Sequence, residues 1–349
     1  MLVYALLACS APPSTANAES PAPTPVAAPA APVAPVAPVA PAPVAPAVDP
    51  DFPDAPAVIA CEDAPAGMAC VPGGATIRGS DEPHVCDQQR YQLPDHPNYA
   101  PAAKVWVQTV YMDLTEVTFS AFKACVASKA CKLDGGPAYN DFSRPQQPIV
   151  GVTWYAAKGF CEAQGKHLPT EAQWEMAARG HDGEHYPWGE APPTCENTVI
   201  MDDQGRRSCG VEKAVSHPEK GRTMEVGSRP AGRYGIFDMA GNGEEWTADW
   251  YSRNYAECGA DCLGIEPDGP CAGKATCEGH ENKVVKGGSW YWNGSHVTGF
   301  HRRPHVPANS PTYHHFGFRC AATPDEAAAI KVKAAATPAP ASVPAPTAP

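Results

Sequence analysis

Asp238 and Glu245 stand seven residues apart in VGSRPAGRYGIFDMAGNGEEWTADWY (226–251), among Gly232, Gly235, Gly241 and Gly243. Glycines allow tight turns that expose carbonyl oxygens, and two acids at this spacing can close around a hard cation such as Ca²⁺. A Gly-rich turn leading into a buried Trp strand is the plainer alternative; in the clamp reading Trp246 is core and Glu244 a solvated neighbour. A nucleophilic hydrolase has little support. Ser289 lies in GGSW and not in a GxSxG elbow, and His167 reads as a helix-end residue beside Leu168-Pro169.

The 14 cysteines are the second group with chemistry of their own, and no CxxC spacing marks a zinc framework. Disulfides in an exported protein are the better reading. Cys125 with Cys131, and Cys195 with Cys209, suit local bridges. Cys258, Cys262, Cys271 and Cys277 suit two more, and Cys86 is the candidate for the odd thiol. Leu6-Leu7-Ala8-Cys9 resembles a bacterial lipoprotein signal in which Cys9 is lipidated. The short, uncharged stretch before it suggests a truncated start. The expected location is extracytoplasmic, periplasmic or on the outer membrane, with membrane contact only through Cys9.

The 41 prolines concentrate at the two ends. Residues 1–9 read as the signal, 10–57 as a Pro/Ala-rich disordered linker, 58–322 as the folded domain and 323–349 as an Ala/Pro-rich disordered tail. A polyproline II spacer of some 35 residues reaches on the order of 100 Å. The formal charge of −12 excludes a nucleic-acid partner by this reading, since phosphate binding needs a basic field, and HRRPH (301–305) is too short to supply one. The protein is expected to be a monomer.

Several elements must position these groups. GMACVPGGATIRGSDE reads as a strand pair, Val105–Leu114 as one alternating strand, and Pro148–Val152 as a short strand. Helices are expected over Phe119–Ser128, Trp154–Gln164 and Glu171–Arg179. Thr153 is the cap of the second, and Thr170 with Gln173 forms a capping box on the third. Val284–Trp292 reads as an aromatic strand bent at Gly287-Gly288, and Gly317–Cys320 closes the core.

Six segments in order, TEVTFSAFKACV, PIVGVTWYAAKGFCEAQGKHLPTEAQWEMAARG, YPWGE, GRYGIFDMAGNGEEWTADWY, VVKGGSWYW and GFRCA, resemble the formylglycine-generating enzyme family, or sulfatase-modifying-factor domain. The resemblance implies an α+β fold of low regular secondary structure, distantly related to C-type lectins and stabilised by calcium. By the same resemblance, Asp238 and Glu245 are side-chain ligands of that calcium, and Gly241 and Gly243 bind through their carbonyls. A second calcium site would begin at Asn197 and Thr198, although its remaining ligands fall in a divergent stretch. Cys161 and Cys320 fall where the family has a long-range disulfide, which could stabilise the fold by ~4–5 kcal/mol.

Active members of the family oxidise a substrate cysteine with copper and O₂ held by two cysteines. Those positions fall here at Trp292 and Val297, and neither side chain binds Cu(I). Histidine is abundant nearby: His296, His301, His305, His314 and His315. One reading makes them, with the arginines, a solvated rim. The other makes His296, His301 and His305 a transition-metal site of an oxidoreductase acting on a peptidyl side chain. The favoured function is a non-catalytic, calcium-stabilised module binding a peptide, protein or glycan in a groove of Trp290, Tyr291, Arg302 and Arg303.

Overall fold

The computed structural model describes residues 49–82, 98–137, 140–201, 208–209, 221–310 and 313–336. Cys9, Cys86 and nearly all of the linker lie outside them. Two extended stretches come first, β1 (Met68–Val71) with β2 (Gly74–Arg78), and β3 (Ala103–Val107) with β4 (Val110–Asp113). β1 and β2 do not pair with each other as the sequence suggested; they pair antiparallel with β4 and β3 respectively.

The stretch expected as one strand over Val105–Leu114 is likewise interrupted, at Gln108-Thr109. The Thr109 hydroxyl accepts the Gly73 amide at 2.9 Å, while the Gln108 amide bonds the Glu266 carboxylate at 2.7 Å. Side-chain partners thus replace the strand ladder there. A Cβ on Gly73 would lie 2.3 Å from the Thr109 nitrogen, so this crossing needs glycine.

Three helices follow within a residue of their expected ends: α1 (Phe119–Ala127), α2 (Trp154–Ala163) and α3 (Glu171–Arg179). Thr118, Thr153 and Thr170 each accept a hydrogen bond from the third residue on, and Gln173 completes the box on α3. Pro148–Val152 is not a strand. Pro148 has no amide to donate, Gly151 has φ 78°, and only isolated bridges to Thr118 and Gly135 form there.

β5 (Glu244–Trp250) and the single-turn α4 (Tyr255–Cys258) come next. They are followed by β6 (Gly264–Ile265), β7 (Lys283–Lys286), β8 (Arg302–His305), β9 (Phe316–Gly317) and β10 (Ala321–Ala322). The sheets run β1-β4-β10, β2-β3-β6 and β8-β7-β5-β9. The predicted aromatic strand stops at Lys286, because Gly287 (φ 88°) and Gly288 (φ 64°) turn the chain away from β7. Trp290–Trp292 therefore lie in a turn.

Residues 324–336 also depart from the expected disordered tail and form α5 (Pro324–Ala336). After Pro324 this stretch is a proline-free, Ala-rich run that favours helix. Thr323 and Glu326 cap it reciprocally, and His167 bonds Glu326 at 2.7 Å.

Trp154, Trp246, Phe122, Phe160 and Phe318 pack into the largest core cluster, around the Cys161–Cys320 disulfide. Cys61–Cys70, Cys125–Cys131, Cys195–Cys209, Cys258–Cys262 and Cys271–Cys277 are also bridged. No cysteine among the described residues is free.

Candidate functional site

The turn from Asp238 to Gly243 is built from left-handed backbone at Asp238 (φ 56°), Gly241 (φ 82°) and Asn242 (φ 59°). Asn242 is wholly buried and holds the turn from both sides. Its amide donates to the Val199 carbonyl at 2.8 Å, and its side chain accepts the Met224 amide at 2.8 Å. Thr198, proposed for a second calcium site, donates to the Ala240 carbonyl. Asn197 accepts the Thr194 amide at 2.8 Å and donates to the Pro192 carbonyl. Thr198 and Val199 therefore buttress the first turn, while Asn197 closes its own loop.

Two buried carboxylates, Glu116 and Glu245, and the half-buried Asp238 gather at this turn. Asp238 accepts the Gly227 amide at 2.7 Å. Glu245 receives the Arg319 guanidinium on both oxygens at 2.7 Å, together with the Trp174 indole at 2.7 Å. Glu116, which the sequence reading missed, accepts the Gly243 amide at 3.0 Å and the Asn242 side chain at 3.2 Å. Burial holds the Glu116 carboxyl well above the ordinary range, and the charges of Asp238 and Glu245 push it further. Burial raises Asp238 too. These hard oxygens, opposed by one guanidinium, fit a hard cation in donor type. Both Glu245 oxygens are turned to Arg319, and among the described residues no three His, Cys, Asp or Glu side chains are grouped as a metal cage.

Strand alternation sends the neighbouring Glu244 to the opposite face of β5. It is fully buried and not solvated as the sequence suggested, and its oxygens receive Arg303 at 2.9 and 3.1 Å. His315 Nε2 lies 3.7 Å from the same carboxylate. Burial raises the Glu244 carboxyl, while Arg303 and His301 oppose the rise. Period-two alternation of Glu244-Glu245 along a strand was the available signal for this residue.

Above this pair lies Trp292, in the position expected of a copper-binding cysteine. Its ring stacks on His296 at 4.8 Å between centroids and covers the Arg303 guanidinium at 4.6 Å. Val297, at the second cysteine position, is buried beside Ile200, Ala240 and the Cys195–Cys209 bridge. The two positions expected to carry a thiolate pair thus hold a packed indole and a buried isopropyl group.

The expected groove and histidine site are only partly assembled. Tyr291 is 41 % exposed, whereas Trp290 is buried against Phe142 and His314. Arg302 is not a groove residue: its guanidinium is fully buried in a double hydrogen bond to Glu171, at 2.7 and 2.9 Å. The His/Arg stretch is no solvated rim: His296, His301, Arg302, Arg303, His305 and His315 are all buried. His296 and His301 do meet, with centroids 5.1 Å apart. His305 lies elsewhere, edge-on to Trp246, Phe316 and Tyr313. Burial and then Arg303 depress His305 to about 4.

Comparison with known proteins agrees with this architecture. The sulfatase-modifying factor enzyme 1-like domain matches residues 56–324. The formylglycine-generating enzyme of Thermomonospora curvata is 32 % identical over 253 residues, covering 69 % of this chain and 75 % of the relative. The Chlamydia pneumoniae serine/threonine-protein kinase pkn1 is 32 % identical over 278 residues, and the match spans 73 % of this chain but 37 % of the kinase. The inactive Cα-formylglycine-generating enzyme 2 of Bos taurus is 37 % identical over 118 residues, 33 % of this chain and 37 % of the relative. The structure of PvdO from Pseudomonas aeruginosa shares the fold at 21 % identity with TM-score 0.54, covering 73 % of this chain and 93 % of that one. On this evidence the chain belongs to the sulfatase-modifying-factor family, that of the formylglycine-generating enzymes.

Proposed function

We propose that this protein is an extracytoplasmic, calcium-stabilised binding module that has lost cysteine-to-formylglycine activity and takes a peptide, protein or glycan over the Tyr291–Trp292 turn. One observation supports the reading: Trp292 and Val297, at the positions where the resemblance expects two cysteines, are packed and offer no thiolate, and every cysteine among the described residues is bridged. Cu(I) needs soft thiolate ligands, and neither an indole nor an isopropyl group supplies them. One relative is itself named as inactive.

Six disulfides in the described part support an oxidising compartment, with Cys9 as the proposed anchor. Asp238, with the carbonyls of Gly241 and Gly243, would hold the calcium, Glu245 would join them by turning an oxygen away from Arg319, and Glu116 adds a third acid beside them. A bound calcium would supply positive charge to a surplus of buried carboxylate and take no part in a reaction.

The test combines two measurements on purified protein, conversion of a CxPxR peptide to aldehyde and bound-metal analysis. Ordinary enzymatic conversion overturns the reading. Stoichiometric transition metal that is lost in His296→Ala and His301→Ala, together with O₂ consumption, would instead support the histidine-based oxidoreductase.

A further inference from the structure

His185 is held between two acids that come from different segments. Its Nε2 lies 2.9 Å from a carboxylate oxygen of Glu82, just after β2, and its Nδ1 meets the carboxylate of Glu190. The other Glu190 oxygen accepts the His185 amide at 3.0 Å. A neutral imidazole carries one N–H and one lone pair, so it can donate to one carboxylate only. Both contacts together require the imidazolium. The other titratable and charged neighbours are few. Tyr186 lies 6.1 Å away between ring centroids, and Phe300 meets the imidazole edge-on at 5.5 Å with the Arg179 guanidinium over its ring. Tyr99 donates to the Glu82 carbonyl at 3.0 Å, and Glu184 is paired with Arg233. Burial lowers the imidazolium, but the hydrogen bonds and charges of Glu82 and Glu190 outweigh it, so His185 stands above its ordinary value.

The segment fixed in this way borders the site. Tyr186 and Trp188 stack on each other at 5.3 Å and 1°, and both pack against the cluster of Ile200, Ala240 and Val297. The His185 carbonyl accepts the Gly299 amide at 2.7 Å. We propose that His185 is a proton-dependent clasp: as the imidazolium it ties the 184–190 loop to Glu82, and on losing its proton it frees that loop beside Val297. Deprotonation turns a ring lone pair toward a carboxylate, and one of the two ties is lost. The Glu82 and Glu190 side chains are 59 % and 61 % exposed, so a released acid is received by water and opening carries little desolvation cost. Arg179 keeps the start of the loop in place through the Gly183 and Glu184 carbonyls, so the loop opens while the fold stays closed. Because the folded value is raised, the tie is complete below the ordinary histidine value and is lost as pH rises through the folded one.

The clasp stands independently of what the module binds, and hydrogen exchange of the whole protein tests it without a ligand. The His185 amide reports directly, since Glu190 holds both it and the ring. Exchange is followed by mass spectrometry from about pH 5 to about pH 8.5, with protection corrected for the intrinsic pH dependence of exchange. Protection over 184–190 should fall roughly fivefold with rising pH, because exposed ion pairs are weak singly and two share this ring. Protection of α2 should not change. His185→Gln carries no charge and should hold the loop at its high-pH protection throughout. Glu82→Gln removes one acid and should move the midpoint to lower pH. Protection independent of pH in the unaltered protein, or the same pH dependence kept in His185→Gln, overturns the proposal. Should His185→Gln also loosen α2, the Glu82→Gln midpoint decides, and an unmoved midpoint overturns it equally.

Discussion

Calcium removal should be most destabilising at neutral pH and nearly neutral in acid, because of the turn at 238–245. Glu116 and Glu245 are buried there beside the half-buried Asp238, and Arg319 is the guanidinium bonded to Glu245. Three ionised carboxylates against one guanidinium leave a formal surplus of two negative charges. Burial raises the folded-state carboxyls of Asp238 and Glu116, so the folded state binds protons more tightly than the unfolded chain. Their contribution to stability is therefore full below the ordinary carboxylate range and is lost as pH rises through the raised values. A cation opposes that loss only where the acids are ionised.

With calcium at about 100 times its dissociation constant, the gain is ~2.7 kcal/mol. For a domain of this size that corresponds to a melting-temperature shift of roughly 5–10 °C. Calorimetry with calcium or with chelator, at about pH 7.5 and about pH 4.5, measures it. The shift should shrink in acid and disappear in Asp238→Ala. An unchanged melting temperature on chelation at neutral pH, or an equal calcium effect in Asp238→Ala, would refute the reasoning.

Replacing both Cys161 and Cys320 by Ser should cost about 5 kcal/mol in the chain-entropy model, because the bridge spans 159 residues; urea midpoints of oxidised protein and double variant give the value. Glu244→Gln should destabilise by roughly 3–5 kcal/mol, since it leaves Arg303 buried without its counter-ion, and Glu244→Leu combined with Arg303→Met should recover much of this. Arg302→Met removes a double hydrogen bond from Glu171 but leaves it the Arg78 guanidinium at 2.8 Å, so it should cost less than Glu244→Gln, and a surface-like loss below about 1 kcal/mol would contradict its burial. His305 has a folded value near 4 against about 6.5 unfolded, so its contribution is present above the unfolded value and declines as pH falls through that window. His305→Phe should flatten the decline in urea midpoints, and an unchanged acid slope would show that the imidazole is not held neutral.

Local signals made much of the fold legible. Thr153, and Thr170 with Gln173, marked their helix starts because an N-cap depends on residues three apart. The GRYGIFDMAGNGEEW segment announced its turns through glycine. The same locality explains the misses. Whether Gln108-Thr109 continues a strand depends on Gly73 and Glu266, partners 36 and 158 residues away. Pro148–Val152 has the composition of a strand and no neighbour placed to pair with all of it.

What the sequence alone determined was the family, the absence of cysteine at Trp292 and Val297, and the cysteines available for bridging, because each is a matter of residue type and order. Only the tertiary structure decided which charges are bound. Arg302 and Arg303 are adjacent in sequence, yet one closes on Glu171 from α3 and the other on Glu244 from β5. Alternation along β8 sends neighbours to opposite faces, and what waits on each face comes from chain 59 and 131 residues away. The partner, and so the burial and the chemistry, is a property of the packed sheet and cannot be read from either arginine.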